Sequence, residues 1–476
     1  MAQLKVDVCV VGGGSAGLSV AAGTSQLGLT TALIERDKMG GECLNYGCVP
    51  SKALLAAAKA AHNADPSRFP GLSGAAPRIE FVRVIDGINE IVAEIEPNDS
   101  VERFERLGVR VIRANAAFSG PRTIRVEGDV VHARHFVIAT GSSAIIPGIP
   151  GLDAAKVLTN ETIFHLRDRP THLVILGAGA VGLEMAFAYR RLGIPVTIVD
   201  RAAMLPDEEP ELVEALRRIL VQEKIEILEH REVLSVAQGA DGIAMTIRNE
   251  AATSIIAGSH LLVAAGRTPR VADLGLEAAG IASSAEGIVV DRRLRTNQRH
   301  ISALGDVIDG PHYTHAAAYQ AGIVVRNLAF RLPAKVDYRA MPRVLYTDPE
   351  LARVGLTESQ ARHRHGDRIA VELTPLEHND RAVAERRKAG SIKIVADPRG
   401  RIVGASILAP AAGEMIGLWC LAITQRLRLR TIANLTLPYP TMSEIGRLAA
   451  ARHYQDLLFG KWTRRLVKIL QMAPEW

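Results

Sequence analysis

Residues 6–17 read VDVCVVGGGSAG, an apolar run that passes directly into a glycine-rich turn. About 165 residues later the form returns as LVILGAGAVG, at residues 173–182. Each stretch is predicted to be a strand that ends in the glycine pattern G-x-G-x-x-G. A helical pattern and then a second strand follow it in the sequence. The two further strands end at acids, Glu35 and Asp200, each 18 residues after the third glycine. Matching acid spacing favours one shared role over two unrelated glycine-rich turns.

The spacing has a physical reading in which each glycine has its own role. The first makes a tight turn, the second lets the backbone approach a pyrophosphate, and the third lets helix and strand pack closely. The helix N-terminus offers N–H groups to phosphates, and the acid accepts hydrogen bonds from ribose hydroxyls. Two dinucleotide sites are therefore predicted at two sets of glycines: Gly12, Gly14 and Gly17, and Gly177, Gly179 and Gly182.

A pair of cysteines follows the first of these sites. Residues 40–52 read GGECLNYGCVPSK, with Cys43 and Cys48 five residues apart. A regular helix would hold their Cα atoms roughly 8 to 9 Å apart, whereas a disulfide needs about 4.4 to 6.8 Å. The backbone must leave the regular helix, which Gly47 permits. The spacing predicts a disulfide that opens and closes; the alternative is two buried thiols.

The composition is that of a soluble globular enzyme. The 476 residues suggest two to four domains, with 48% hydrophobic and 23% charged residues. We find no apolar run of roughly 18 residues and no signal-peptide pattern at the N-terminus. Only four cysteines occur, and Cys9 and Cys420 lie in apolar patterns, so a cytoplasmic location is expected. The net charge is +6, but the basic residues are scattered, which argues against a nucleic-acid partner.

Further strand and turn patterns extend this reading. Residues 136–141, 261–269 and 301–306 are strands that end in glycine turns, and a helix is predicted near residues 312–318. From about residue 341 the pattern changes. Strands are predicted at 391–395 and 402–408 and helices at 411–425 and 444–458, as in an α+β domain.

Taken together, the chain resembles a class I pyridine nucleotide-disulfide oxidoreductase over nearly its whole length. The resemblance is carried by both glycine fingerprints, by residues 43–52, and by the segments 139-ATG-141, 266-GRTP-269, 305-GD-306 and 346-YTDPE-350. It implies an α/β fold with two Rossmann-like domains and a C-terminal α+β dimerisation domain. The expected boundaries are 1–150 with 273–340 for FAD, 151–272 for NAD(P)H, and 341–476 for the interface.

The resemblance also implies a homodimer whose active site is shared between subunits. Electrons would pass from NADH or NADPH to FAD, then to the disulfide, then to substrate. Cys48 would be the flavin-proximal thiol and Cys43 the thiol that meets substrate. Lys52 would pair with Glu184 near the flavin; the alternative is two unrelated solvated charges. The remaining expected cofactor-binding residues are Ala16, Glu35, Thr140, Gly141, Gly305, Asp306, Thr314, Asp200 and Gly266, and no resident metal site is expected.

The choice between the two nicotinamide cofactors can be argued from charge. Asp200 would bond a ribose 2′-hydroxyl and repel a 2′-phosphate, which favours NADH. Arg201 beside it softens that repulsion.

The chain departs from the family pattern near its C-terminus. Disulfide-reducing members carry His-Pro-Thr-x-x-Glu there, and the histidine acts as acid and base. Here residues 437–444 read LPYPTMSE, so Glu444 is present but Tyr439 stands in place of histidine. A phenol has a pKa of about 10 and an imidazole a pKa of about 6.5, so Tyr439 is a poor base at neutral pH. The alternative role for Tyr439 is a structural aromatic at the dimer interface.

Tyrosine at this position, with the segment 379-NDRA-382, resembles the mercuric reductase branch. That branch usually ends in a vicinal cysteine pair, and this sequence has no cysteine after Cys420. We therefore expect a soft metal ion or small electrophile as substrate. The alternatives are a dihydrolipoyl dehydrogenase or other disulfide reductase, and a redox-sensing regulatory protein with little turnover.

A basic amphipathic helix is predicted at residues 461–470, KWTRRLVKIL. Such a helix can lie on an anionic membrane surface, which would fit a membrane-surface quinone reductase as a third option, but more often packs on the dimer.

Overall fold

The computed structural model describes residues 3–240, 242–250 and 252–472. They form two compact units, each drawn from two parts of the chain. Described residues up to 202 and residues 227–336 form the first unit; residues 203–226 and those from 337 onward form the second. No helix in the described ranges is long and apolar enough to cross a membrane.

The first unit opens with a sheet built around the first glycine-rich turn. Strands β3, β2, β1 and β6 run parallel, and β5 and β4 continue the sheet antiparallel. Residues 8–10 of the first strand are fully buried, as its apolar run predicts. The elements are β1 (Gln3–Val11), α1 (Ser15–Gln26), β2 (Thr31–Glu35), α2 (Gly41–Asn45), α3 (Cys48–Asn63), α4 (Phe81–Ile95), α5 (Val101–Arg106), β3 (Val109–Arg113), β4 (Ala117–Gly120), β5 (Thr123–Val126), β6 (Asp129–Ile138) and β7 (Ser142–Ala144).

The second glycine-rich turn belongs to another sheet, whose strand order is β11-β10-β9-β15-β8. A three-stranded antiparallel sheet, β12-β13-β14, is inserted before β15; the sequence patterns did not indicate it. The elements are β8 (Val157–Leu158), β9 (Leu173–Leu176), α6 (Ala180–Arg191), β10 (Val196–Val199), α7 (Pro210–Gln222), β11 (Glu226–Leu228), β12 (Glu232–Gly239), β13 (Gly242–Arg248), β14 (Thr253–Gly258) and β15 (His260–Val263).

The chain then returns to the first sheet. Strand β16 pairs antiparallel with β7, and β19 pairs parallel with residues 136–138 of β6. The helix predicted near residues 312–318 begins at Thr314. The elements are β16 (Arg267–Pro269), β17 (Ser283–Ser284), β18 (Gly287–Ile288), β19 (Ile301–Ala303) and α8 (Thr314–Ala329).

The second unit is an antiparallel sheet, β20-β21-β24-β23-β22, covered by helices. Its core includes the fully buried Trp419. The helix predicted at 444–458 is two helices, because the chain tightens where the Tyr454 N–H bonds the Ala451 carbonyl. The elements are β20 (Pro342–Leu345), β21 (Glu350–Gly355), α9 (Glu358–His365), β22 (Ala370–Pro375), α10 (Asp380–Ala384), β23 (Ser391–Ala396), β24 (Ile402–Ala409), α11 (Ala412–Thr424), α12 (Leu429–Ala433), α13 (Glu444–Arg452), α14 (Gln455–Leu458) and α15 (Lys461–Leu470).

Helix α7 belongs to this unit although it follows Asp200 closely in sequence. The Lys393 side chain is 3% exposed, and its ammonium lies 2.9 Å from a Glu209 oxygen and 3.0 Å from a Glu211 oxygen. Arg353 contacts Glu208 at 2.7 Å. Buried charges are costly without partners, so these contacts fix the start of α7 to the sheet. Helix α7 falls inside the range 151–272 that was predicted for the second nucleotide domain.

Candidate active site

The first glycine-rich turn has no room for side chains where backbone segments meet. Gly12 has φ +108°, and a Cβ there would lie 2.3 Å from the Ala139 oxygen. A Cβ on Gly17 would lie 1.8 Å from the Gly12 oxygen. A Cβ on Gly14 would have as its nearest neighbour the Cα of Gly41, 3.8 Å away. The start of α1 is thus tightly built but accessible at Gly14, as a bound pyrophosphate requires.

Glu35 ties this turn to the end of β2. The Gly13 N–H donates to one Glu35 carboxylate oxygen at 2.5 Å, and the Asp37 N–H donates to the other at 2.7 Å. Each carboxylate oxygen can accept more than one hydrogen bond, so acceptor capacity remains for ribose hydroxyls.

The second turn repeats this geometry. Gly177 has φ +118°, and a Cβ there would lie 2.3 Å from the Ala264 oxygen, while Gly179 faces open space. The two Asp200 oxygens accept the N–H groups of Ala178 at 2.6 Å and Ala202 at 2.8 Å. The two fingerprints therefore share one hydrogen-bonding scheme as well as one spacing.

The turn at Gly305 brings a carboxylate to the first turn, while the Gly141 and Gly266 carbonyls accept the N–H groups of Arg270 and Ile145. The Gly305 N–H donates to the Gln320 side chain at 2.7 Å, and a Cβ on Gly305 would lie 3.2 Å from the Cβ of Ala16. The next residue, Asp306, accepts a hydrogen bond from Ser142 at 2.9 Å. The Thr140 hydroxyl donates to the Arg270 carbonyl at 2.8 Å. Asp306 is half-buried near the start of α1, where a polar cofactor chain fits.

The dithiol segment leaves helical geometry between its cysteines, as predicted. Helix α2 ends at Asn45 and α3 begins at Cys48, with Gly47 between them at φ −133°, ψ −109°. A Cβ on Gly47 would lie 3.0 Å from the Glu42 carbonyl oxygen. A Cβ on Gly41 would lie 2.6 Å from the Gly14 Cα. The dithiol segment therefore lies directly against the first nucleotide turn.

The two cysteines are free thiols here, with Cys48 exposed and Cys43 half-buried. The Cys43 thiol donates a hydrogen bond that lowers the pKa of Cys48 to about 6, although burial opposes this; the Thr314 hydroxyl and the Lys52 charge lower it further. The Thr314 hydroxyl lies 3.3 Å from the Cys48 sulfur. The same bond from Cys43 raises the pKa of Cys43. At neutral pH the pair therefore holds one thiolate and one thiol.

Lys52 and Glu184 are brought together from α3 and α6. The Lys52 ammonium lies 2.8 Å from a Glu184 oxygen, and Glu184 is 6% exposed. A carboxylate buried to this degree needs a partner, since an unpaired buried charge is costly. The contact places a positive charge one helical turn beyond Cys48.

Replacing Lys52 with methionine is expected to raise the pKa of Cys48 from about 6, because the positive charge that favours its thiolate is lost. The rate of iodoacetamide alkylation of Cys48 in the reduced enzyme should rise with pH, and the pH midpoint of that rise should be higher in the variant than in the wild type. Mass spectrometry of the labelled peptide would measure the alkylation rate. Replacing the half-buried Lys59 with methionine, farther along α3, should leave the midpoint unchanged.

The sequence patterns did not indicate a further ion pair, which lies beside the dithiol segment. Arg267 bonds both the Glu42 carboxylate and the Ser142 hydroxyl, the latter at 2.8 Å. The Asn160 side chain donates to Glu42 at 3.0 Å. Burial raises the pKa of Glu42 to about 7, against the pull of Arg267. The position of Glu42 directly before Cys43 was the available signal, and its partner lies 225 residues away in sequence.

Tyr439 and Glu444 belong to the second unit, whereas the dithiol belongs to the first. Tyr439 is 70% exposed, and its hydroxyl donates to an Asp380 oxygen at 2.9 Å. This bond raises the pKa of Tyr439, so the phenol stays protonated at neutral pH. Glu444 is the first residue of α13 and lies 3.6 Å from Arg447. Asp380 is a further residue that the sequence reasoning did not assign to the site.

Comparison with known families agrees with this geometry. A family model described as "Pyridine nucleotide-disulphide oxidoreductase" matches residues 6–321. The chain belongs to the pyridine nucleotide-disulphide oxidoreductases. The dimerisation domain of the same family matches residues 341–450. The α/β fold class predicted from the sequence is confirmed, and the protein is a flavin-dependent enzyme.

Individual oxidoreductases of this family are similar to nearly the whole chain. A mercuric reductase of Streptomyces lividans is 35% identical, over 96% of this chain and 98% of the relative. Dihydrolipoyl dehydrogenase 1, mitochondrial, of Arabidopsis thaliana is 34% identical, over 94% of this chain and 90% of the relative. The solved Cu(II) complex of the HOCl-induced flavoprotein disulfide reductase RclA from Escherichia coli is 29% identical, with TM-score 0.84, over 94% of this chain and 99% of that one.

Members of this family use FAD and NAD(P)H, as the two fingerprints predict. The residues present fit these groups. Both helix starts are built on glycines that leave space at Gly14 and Gly179, and both carry a strand-end acid with acceptor capacity. The match to a dimerisation domain supports a homodimer.

Proposed function

We propose that this oxidoreductase reduces a soft metal ion or small electrophile at the Cys43–Cys48 pair, in the manner of a mercuric reductase. The observation that carries the proposal is the hydrogen bond from Tyr439 to Asp380. It holds a neutral phenol where the disulfide-reducing members of the family have a base. A protonated phenol cannot take the proton of the Cys43 thiol as that thiol attacks an incoming disulfide, so exchange with a bulky disulfide is disfavoured.

The thiol pair suits a soft cation. Thiolates are the ligands that soft metals prefer, and the low pKa of Cys48 supplies one at neutral pH. A cation that bound Cys48 would draw the proton from Cys43 as well, since coordination deprotonates thiols. When the pair gives two electrons to the bound ion it becomes a disulfide, and the one proton released is the proton that Cys43 carried.

Bound FAD would take hydride from NAD(P)H and supply the two electrons that reopen the disulfide. The chain's own residues then have three tasks. Gly14 and Gly179 admit the pyrophosphates, Lys52 and Glu184 hold a fixed charge pair beside Cys48, and Thr314 donates a hydrogen bond to the Cys48 sulfur.

The finer organisation belongs to the same proposal. We place FAD on residues 1–150 and 273–340, NAD(P)H on 151–272 and the subunit interface on 341–476. Tyr439 and Glu444 of each subunit would serve the partner's dithiol. Exposure of Tyr439 supports this, since an exposed phenol on a dimerisation domain is available to a second subunit. We place the enzyme in the cytoplasm, where its nicotinamide substrate is supplied.

The proposal is tested by comparing acceptors. FAD-loaded enzyme should oxidise NAD(P)H rapidly with mercuric ion, in the presence of excess small thiol, and slowly with lipoamide. Cupric ion is a second acceptor to test, because the related RclA structure is described as a Cu(II) complex. Rapid turnover with lipoamide and none with either ion would assign the enzyme to the disulfide reductases instead.

Asp200 is expected to set the nicotinamide preference. Its carboxylate would repel a 2′-phosphate, so kcat/KM should be higher for NADH than for NADPH. Replacing Asp200 with serine should raise the ratio of kcat/KM for NADPH to that for NADH about tenfold, since one unfavourable charge contact of about 1.4 kcal/mol is removed. Replacing Asp207 with serine is the control, and an unchanged ratio in the Asp200 variant would contradict the assignment.

A further inference from the structure

Helix α15 presents an uncovered amphipathic surface. None of its ten residues, all within the described ranges, is buried. Trp462 is 81% exposed and Ile469 is 64% exposed. Three successive apolar residues before it, at positions 457–459, are exposed as well. The apolar surface therefore begins before the helix and continues along it.

The two kinds of side chain are separated around the helix axis. At 3.6 residues per turn, successive side chains are about 100° apart. On this spacing one side of α15 carries Trp462, Leu466, Ile469 and Leu470. The opposite side carries Lys461, Arg464, Arg465 and Lys468. This is the arrangement of a helix that lies in an interface between an apolar and a polar medium.

The charged side carries one sign. Residues 461–472 contain four basic residues and no acidic residue. A basic side opposite an apolar side that includes tryptophan complements a bilayer with anionic headgroups. The Arg465 guanidinium lies over the Trp462 ring at 5.5 Å, so a cation flanks the aromatic side chain.

The family's dimerisation region does not account for this surface. Its match ends at residue 450, before α14 and α15 begin. We propose that α15 attaches the enzyme to anionic phospholipid bilayers, with its apolar side inserted at the headgroup level and its four cations against the lipid phosphates. The attachment is peripheral and reversible, because the helix has only ten residues.

Vesicle sedimentation with the FAD-loaded, full-length enzyme tests this. At low salt the enzyme should pellet with vesicles that mix phosphatidylglycerol and phosphatidylcholine, and stay in the supernatant with phosphatidylcholine alone. Raising the salt to about 0.5 M should weaken binding, because surface charges are screened. In a Trp476→Phe background, vesicles should shift Trp462 fluorescence to shorter wavelength; the buried Trp419 should contribute no shift.

Two paired variants separate the two parts of the surface. Leu466→Gln with Ile469→Gln removes apolar contact, and Arg464→Gln with Arg465→Gln removes two charges; each should weaken vesicle binding by at least about tenfold. Val221→Gln, exposed on α7, and Arg364→Gln with Arg399→Gln are the matched controls and should bind as wild type. Flavin content and NAD(P)H oxidation should be unchanged in every variant.

Three outcomes would overturn the proposal. Failure of the wild-type enzyme to bind anionic vesicles at low salt is the first, and equal binding by the paired variants is the second. The third is a fall in molecular mass from dimer to monomer in the Leu466→Gln, Ile469→Gln variant, measured by light scattering, because α15 would then be a subunit contact.

Discussion

Replacing Cys48 with serine is expected to lower kcat for any acceptor reduced at the dithiol by at least about 10³-fold. Serine cannot close a disulfide with Cys43, and its hydroxyl supplies no thiolate at neutral pH. Cys48 is the member of the pair whose pKa is lowered, to about 6, so its loss removes the thiolate present under working conditions. The measurement is steady-state oxidation of NAD(P)H with mercuric ion as acceptor.

Other steps should survive in this variant. The fingerprints and the Lys52–Glu184 ion pair do not depend on the Cys48 sulfur, so FAD content and anaerobic reduction by NAD(P)H should persist. Cys420→Ser is the matched control, since Cys420 is a half-buried free thiol in the second unit. If Cys48→Ser turned over mercuric ion at the wild-type rate, electrons would reach the acceptor without the dithiol, and the proposed mechanism would be wrong.

Replacing Tyr439 with histidine is expected to raise lipoamide reductase activity by about 10²-fold. An imidazole is neutral above about pH 6.5 and accepts a proton that the phenol cannot. Asp380 already accepts the Tyr439 hydroxyl at 2.9 Å and could accept a ring N–H in its place, which would orient the other ring nitrogen. The gain should therefore grow as pH rises through about 6.5.

Two further variants give this prediction its controls. Tyr439→Phe removes the hydroxyl without adding a base and should show no gain with lipoamide. Val383→His places an imidazole on the exposed surface of α10 and should also show none. Equal lipoamide rates in Tyr439→His and Tyr439→Phe would mean that the missing base is not what limits disulfide exchange.

The fold was predictable where sequence spacing maps directly onto backbone geometry. The two G-x-G-x-x-G turns need glycine because a Cβ at Gly12 or Gly177 would strike a carbonyl oxygen, and that need is visible in the sequence. The strands at 391–395 and 402–408 were equally readable, because strands show an alternating pattern of residues. The departure from helix between Cys43 and Cys48 followed from disulfide geometry alone.

Other features depended on contacts between residues distant in sequence. The Glu42–Arg267 pair spans 225 residues, and the Tyr439–Asp380 pair spans 59, so no local pattern indicates either. The assignment of α7 to the second unit rests on Lys393, which reads in sequence as an ordinary polar residue of a strand.

By itself the sequence determined the two nucleotide turns, the position of the dithiol and the loss of the family's histidine, because each is a matter of residue type at fixed spacing. Only the tertiary structure decided which thiol is acidic and that Asp380 accepts the Tyr439 hydroxyl, which raises the pKa of Tyr439 further. A pKa depends on the charges and donors that surround a group in space. For Cys48 these are Cys43 first, then Thr314 and Lys52, and for Tyr439 the main one is Asp380; Thr314 and Asp380 are distant in sequence from the groups they contact.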